Sequence, residues 1–167
     1  GIYITSLDDA GVSSGLNFSS MRLDRDRRAV LHTSDLESQA AGMWVRAIEA
    51  RPQLAATLYQ MLSCAEPGAD VRRVAEFLSE QRPTAVRALV DLFHQEHGQA
   101  IVPLAHSDTQ QLQMQLNDIE TRLKKRLVLV SPALAACLRR SSTIPSVEQI
   151  QHELTASKPV QTAASVE

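Results

Sequence analysis

The sequence predicts a predominantly helical α+β fold, with an N-terminal β-hairpin, a central antiparallel helical array and a small C-terminal β-α-β-α unit. Three observations carry this expectation. Between residues 34 and 98, apolar residues recur at helical spacing and are interrupted by Pro and Gly breakers. Two short apolar runs, residues 99–104 and 127–130, flank an amphipathic segment, which gives strand, helix, strand. Residues 1–33 combine β-favouring runs with turn formers.

In the first third, Ile2 to Thr5 favour an extended backbone and Leu7 to Gly11 a turn. Phe18 to Leu23 and Arg28 to Thr33 then read as the strands of the hairpin. Its tip, Asp24 to Arg27, lacks the Asn-Gly or Asp-Gly pair that most strongly marks such turns.

The helical array opens with Ser34 and Glu37 at the spacing of a capping box, in which each side chain satisfies the other residue's free N–H. Leu36, Ala40, Met43, Trp44, Ala47 and Ile48 share one face of that helix. Pro52 ends it and starts the next, because a first-turn N–H has no helical partner to lose. Leu54, Leu58, Met61 and Leu62 form the second stripe, and Glu66-Pro67-Gly68 breaks it. Asp70 is expected to cap a third helix bearing Val71, Val74, Phe77 and Leu78. Pro83 opens a fourth, with Val86, Leu89, Val90 and Phe93 inward, and Gly98 closes it in the left-handed conformation. The segments starting at Arg51-Pro52 and Arg82-Pro83 resemble each other at a spacing seen in helical repeats. Two copies do not make a solenoid, so a plain bundle is the favoured reading.

In the last third, Ser107-Asp108 should cap a helix whose stripe is Leu112, Leu116, Ile119 and Leu123. Leu127 to Val130 is a continuous apolar run of the kind buried on both faces, and the order strand, helix, strand implies parallel pairing. Ser131-Pro132 caps a helix carrying Leu134, Ala135 and Leu138. Ser146 and Gln149 cap the last one, carrying Ile150 and Leu154. The expected organisation is one globular domain over 1–154: 1–33 extended, 34–98 helical, 99–154 α/β. Residues 155–167 read as a disordered tail or linker.

Apolar residues make up 44% and charged residues 22%, a balance that suits a packed domain rather than a disordered chain. The net charge of −2 argues against nucleic acid or an anionic membrane as a partner, and no run approaches the roughly 18 apolar residues of a membrane span. Arg25 and Arg27 alternate with Asp24 and Asp26, while Arg122, Lys124, Lys125 and Arg126 end a helix, where cations suit the dipole. Two well-separated cysteines do not make a disulfide scaffold, so a reducing compartment, the cytoplasm, is expected. The first residue is Gly1 and no signal peptide is apparent, which suggests a domain from within a larger protein. The excess of Arg over Lys and the abundance of Ala point to a bacterial one.

Few side chains have the makings of chemistry. His94 and His97 lie one helical turn apart in HQEH, and His106 follows soon after, but zinc needs a third protein ligand and HQEH lacks the HExxH spacing. Helix-end histidines are the better account, and no metal or cofactor is expected. Cys64 sits at a helix C-terminus, where the dipole disfavours a thiolate, and Cys137 looks like a buried structural thiol. Ser131 lacks the glycines of a phosphate loop or nucleophile elbow and reads as a cap. The leading functional expectation is therefore a non-enzymatic protein–protein interaction or regulatory domain, binding another protein or itself. Trp44, Tyr59 and Phe77 are its candidate contact residues, since aromatics are favoured at binding hot spots. The alternative is a hydrolase or transferase with a Cys/His site around Cys64 and His94/His97. A small-ligand sensor using the β-α turns ranks behind both.

Overall fold

The computed structural model describes residues 11–12, 15, 32–79, 83–112 and 115–157. Helix α1 (Thr33–Ala50) is followed by a single 3-10 turn (Pro52–Leu54), α2 (Ala55–Ser63), the one-turn α3 (Val74–Phe77) and α4 (Pro83–His97). Strand β1 (Ile101–Leu104), α5 (His106–Leu112), α6 (Leu116–Arg122), β2 (Arg126–Leu129), α7 (Pro132–Leu138) and α8 (Val147–Ala156) complete it.

The predicted fold class needs correction. About 64% of the described chain is helical, and its one sheet is the two-stranded parallel pair expected near the C-terminus, not an antiparallel hairpin. An N-terminal β-hairpin is not part of the fold described. Its predicted residues lie outside the described residues except at their end, where Thr33 is the first residue of α1 instead of the last of a strand. That early start also undoes the predicted capping box. The N-cap is His32, which makes no side-chain cap bond, and Ser34 already lies inside the helix. Asp70 likewise caps no long third helix. The chain turns through residues 70–73 and only Val74–Phe77 is helical. The long stripe predicted from Leu112 to Leu123 is divided between α5 and α6.

Other signals act where the sequence places them. Pro83 is the first residue of α4, and Gly98 ends it with φ +101, its N–H donating to the His94 carbonyl at 2.8 Å. Ser146 and Gln149 form a reciprocal capping box on α8, which runs on through Ala156.

The described residues pack into two apolar clusters with the sheet between them. The larger joins Val45 and Ile48 of α1, Leu58 and Leu62 of α2, Leu89 and Phe93 of α4, and Leu134 and Leu138 of α7. The smaller joins Val102 and Leu104 of β1 to Ile119 of α6 and to Ile150 and Leu154 of α8. Strand alternation explains the division. Val102 and Leu104 point to the α6–α8 side with Leu127, while Ile101 and Val128 point to the helical array.

Ser131 ties α7 to α2 within the larger cluster. Its hydroxyl accepts from Leu134 N at 3.0 Å, capping α7, and donates to the carbonyl of Leu62 near the end of α2.

Candidate functional site

Among the described residues, the sheet has one closed edge and one open edge. In a parallel ladder, successive residues direct their N–H and C=O groups to alternate sides. Arg126 N donates to the Ala100 carbonyl and Val130 N to the Leu104 carbonyl, each at 2.9 Å. Arg126, Val128 and Val130 therefore face β1, and the backbone groups of Leu127 and Leu129 face away from it. Among the described residues, neither Leu127 nor Leu129 finds a backbone partner on that side.

Strand β1 differs. Its outward positions are Ile101 and Pro103, all four of its residues are buried, and Pro103 has no N–H to offer. The ladder loses nothing there, because the missing donor would have pointed away from β2.

The predicted burial of the Leu127–Val130 run on both faces is also corrected. Leu127, Val128 and Val130 are half-buried against the two clusters, but Leu129 is 62% exposed. Leu129 is the one large apolar side chain exposed among the described residues. The cover provided by α6 and α8 stops short of it.

Cations gather at the start of this strand. Lys125 Nζ lies 2.5 Å from Glu153 Oε2 and is neutralised. Arg126 donates from Nη2 to the His97 carbonyl at 2.8 Å, a contact that leaves its charge uncompensated. Lys124, held at φ +52, is exposed like Arg126. Among the described residues neither has a carboxylate within ion-pair distance.

A second surface is an open groove of about 590 Å³ between α2 and α4, lined by Tyr59, Ser63, Cys64, Leu92, Gln95 and Glu96 among others. The i, i+4 spacing along each helix lines them up. Tyr59 is buried, and its hydroxyl donates to Glu96 Oε2 at 2.8 Å across 37 residues of sequence. Burial first, then the Glu96 carboxylate, pushes the Tyr59 phenol well above the ordinary tyrosine range. Cys64, the C-cap of α2, is exposed and donates to the Gln60 carbonyl at 3.5 Å. Cys137 is buried in α7, and that burial pushes its thiol up to about 12.

The histidines do not converge. The His97 ring packs 4.9 Å from the Phe93 ring, with Nε2 3.6 Å from Glu96 Oε2, and the His94 ring lies 6.1 Å from Phe93. His106 is exposed at the start of α5. No hydrogen bond joins Cys64 to His94 or His97, so a thiolate–imidazole pair is not assembled. Among the described residues, no group of three His, Cys, Asp or Glu side chains is arranged to hold a metal ion. A second hollow of about 450 Å³, near the N-terminal ends of the strands, is lined by Lys125, Ser142, Thr143, Gln149, His152 and Glu153, among others.

The aromatic candidates lie on three helices. Trp44 of α1 and Phe77 of α3 are half-buried against the larger cluster. Phe77 lies over Gly42, where a Cβ would meet its ring at 3.4 Å, an ordinary van der Waals contact. Tyr59 alone reaches a groove. The Leu129 edge and Glu96 escaped sequence reasoning. An edge is a property of strand order, and Glu96 meets Tyr59 only through the packing of α2 on α4.

Compared with protein-family models, with curated proteins and with solved structures, the chain matches none. Among the described residues, no helix is long and apolar enough to cross a membrane.

Proposed function

We propose that this chain is a non-enzymatic protein-interaction domain whose working surface is the outer edge of β2. The observation that carries the reading is the pair of outward-facing backbone sites at Leu127 and Leu129, unpartnered among the described residues, beside the exposed Leu129 side chain. Main-chain groups of this kind recruit an extended peptide as an additional strand, and a neighbouring apolar side chain supplies selectivity. An unpaired apolar edge is otherwise a liability that folded proteins cover or blunt. The α2–α4 groove supports the reading less directly, because its polar groups are already engaged with each other.

Selection of extended peptides from a displayed random library on the immobilised chain tests this. The informative variant is Leu129→Pro. It removes a donor that points away from β1, so the β1–β2 ladder and the fold should survive. Enriched peptides are expected to bind the parent chain and to lose binding to Leu129→Pro, with circular dichroism unchanged. Equal binding to both chains would sink the edge as the working surface.

A further inference from the structure

The same edge carries information about its partner. Resting on the reading of β2 as the binding edge, we infer that the segment it accepts is extended and acidic at the end that lies beside Lys124 and Arg126. Three features favour this occupant over a second copy of the chain.

The first is charge. Lys124 and Arg126 are exposed cations at one end of β2, and neither has a carboxylate partner among the described residues, while the intervening Lys125 is neutralised by Glu153. The asymmetry is along the strand: the opposite end is Leu129, exposed and apolar. A complementary segment therefore carries an apolar residue at one end and carboxylates at the other, which also sets its direction.

The second is exclusion. Cations on an edge strand discourage pairing with like strands. A parallel β2–β2 pairing sets the two basic ends side by side, and an antiparallel one sets each basic end against the other copy's apolar Leu129, so neither arrangement places a carboxylate of β2 beside the cations. An acidic strand converts the same residues from a barrier into an attraction, and electrostatic complementarity of this kind sets specificity and association rate.

The third is length. Strand β2 has four residues and two outward-facing backbone positions, Leu127 and Leu129. Main-chain bonding at so short an edge is weak alone, so selectivity must come from its ends.

The test uses two short probes, each alternating valine and threonine, one ending in two aspartates and the other in two lysines. Both are also made in reversed order. Binding is measured by titration, and hydrogen exchange follows the Leu127 and Leu129 amides. The aspartate probe in one of its two directions is expected to bind at least about tenfold tighter than its lysine counterpart, with the margin shrinking as salt is raised. It should also slow exchange at Leu129. Lys124→Asp, which the left-handed backbone at that position tolerates, is expected to erase or reverse the preference.

Equal binding of the aspartate and lysine probes overturns the acidic partner while leaving the edge as a strand acceptor. Failure of every probe to bind or to slow the Leu129 amide overturns the edge itself. A dimer of the free chain in sedimentation, lost in Leu129→Pro, assigns the edge to a second copy and overturns the proposal. Slow exchange at Leu127 and Leu129 in a monomeric free chain does the same, because the chain then covers its own edge.

Discussion

Tyr59 shows how one residue's surroundings become a measurable property of the molecule. Its phenol is held protonated by burial and by the hydrogen bond to Glu96, so it releases its proton at higher pH folded than unfolded. Above the ordinary tyrosine value of about 10, the unfolded chain has lost a proton that the folded chain still holds, and stability falls as pH rises. The melting temperature is therefore expected to drop more steeply above about pH 10 in the parent chain than in Tyr59→Phe. At neutral pH that substitution should cost about 1 kcal/mol, since it leaves Glu96 exposed to water rather than stranded. Parallel alkaline slopes in the two chains would show that Tyr59 has no such role. The two thiols make a second residue-scale contrast. Iodoacetamide near neutral pH should label exposed Cys64 and spare Cys137 until the chain unfolds, as peptide mass mapping would show. The sequence made the Cys137 half of this legible, through its apolar helical neighbours. The Tyr59–Glu96 bond has no such local sign.

Secondary-structure elements were legible where a local device decides the outcome. Proline at the start of α4, glycine in the left-handed conformation at its end and the Ser146–Gln149 box on α8 all act within a few residues. They failed where the chain outside the element decides. Ser34 and Glu37 have capping-box spacing, yet α1 starts at Thr33. The Ser34 carbonyl and the Ser38 hydroxyl instead accept from Arg73, across 39 and 35 residues of sequence that no local pattern encodes. Ser131 belongs to both categories. Its role as the cap of α7 is visible in Ser-Pro, but its bond to the Leu62 carbonyl spans 69 residues. Ser131→Ala strands a helix N–H and a carbonyl together in a buried place. It is expected to destabilise the chain by about 2 kcal/mol in urea titration, more than the roughly 1 kcal/mol of an ordinary exposed cap. A loss no larger than a simple cap would mean that the Leu62 carbonyl finds water.

At the scale of the molecule, the parallel pairing of β1 with β2 follows from the strand, helix, strand pattern along the chain. The division into two clusters was less legible, because it depends on which face of a two-stranded sheet each helix takes. The apolar run Leu127–Val130 illustrates the difficulty. A continuous apolar strand is read as central, but centrality needs a neighbour on each side, and among the described residues β2 has only β1. The same run therefore produces a half-exposed edge, and the residue that marks it, Leu129, was not among the predicted contact residues Trp44, Tyr59 and Phe77. The candidate site was thus present in the sequence as a strand and absent as a surface.

Pro103 has a bearing on what the molecule can become in a crowded solution. Open-ended fibrils grow because every subunit offers a donor edge and an acceptor edge, so each addition recreates the template. Here one side of the sheet is closed by a buried strand with a proline at its outward position, leaving a single edge for strand addition among the described residues. Growth through the sheet therefore terminates when another copy arrives by the same edge, because each copy's edge is consumed in the pairing. Such a chain can keep a sticky edge when the described sheet offers only one.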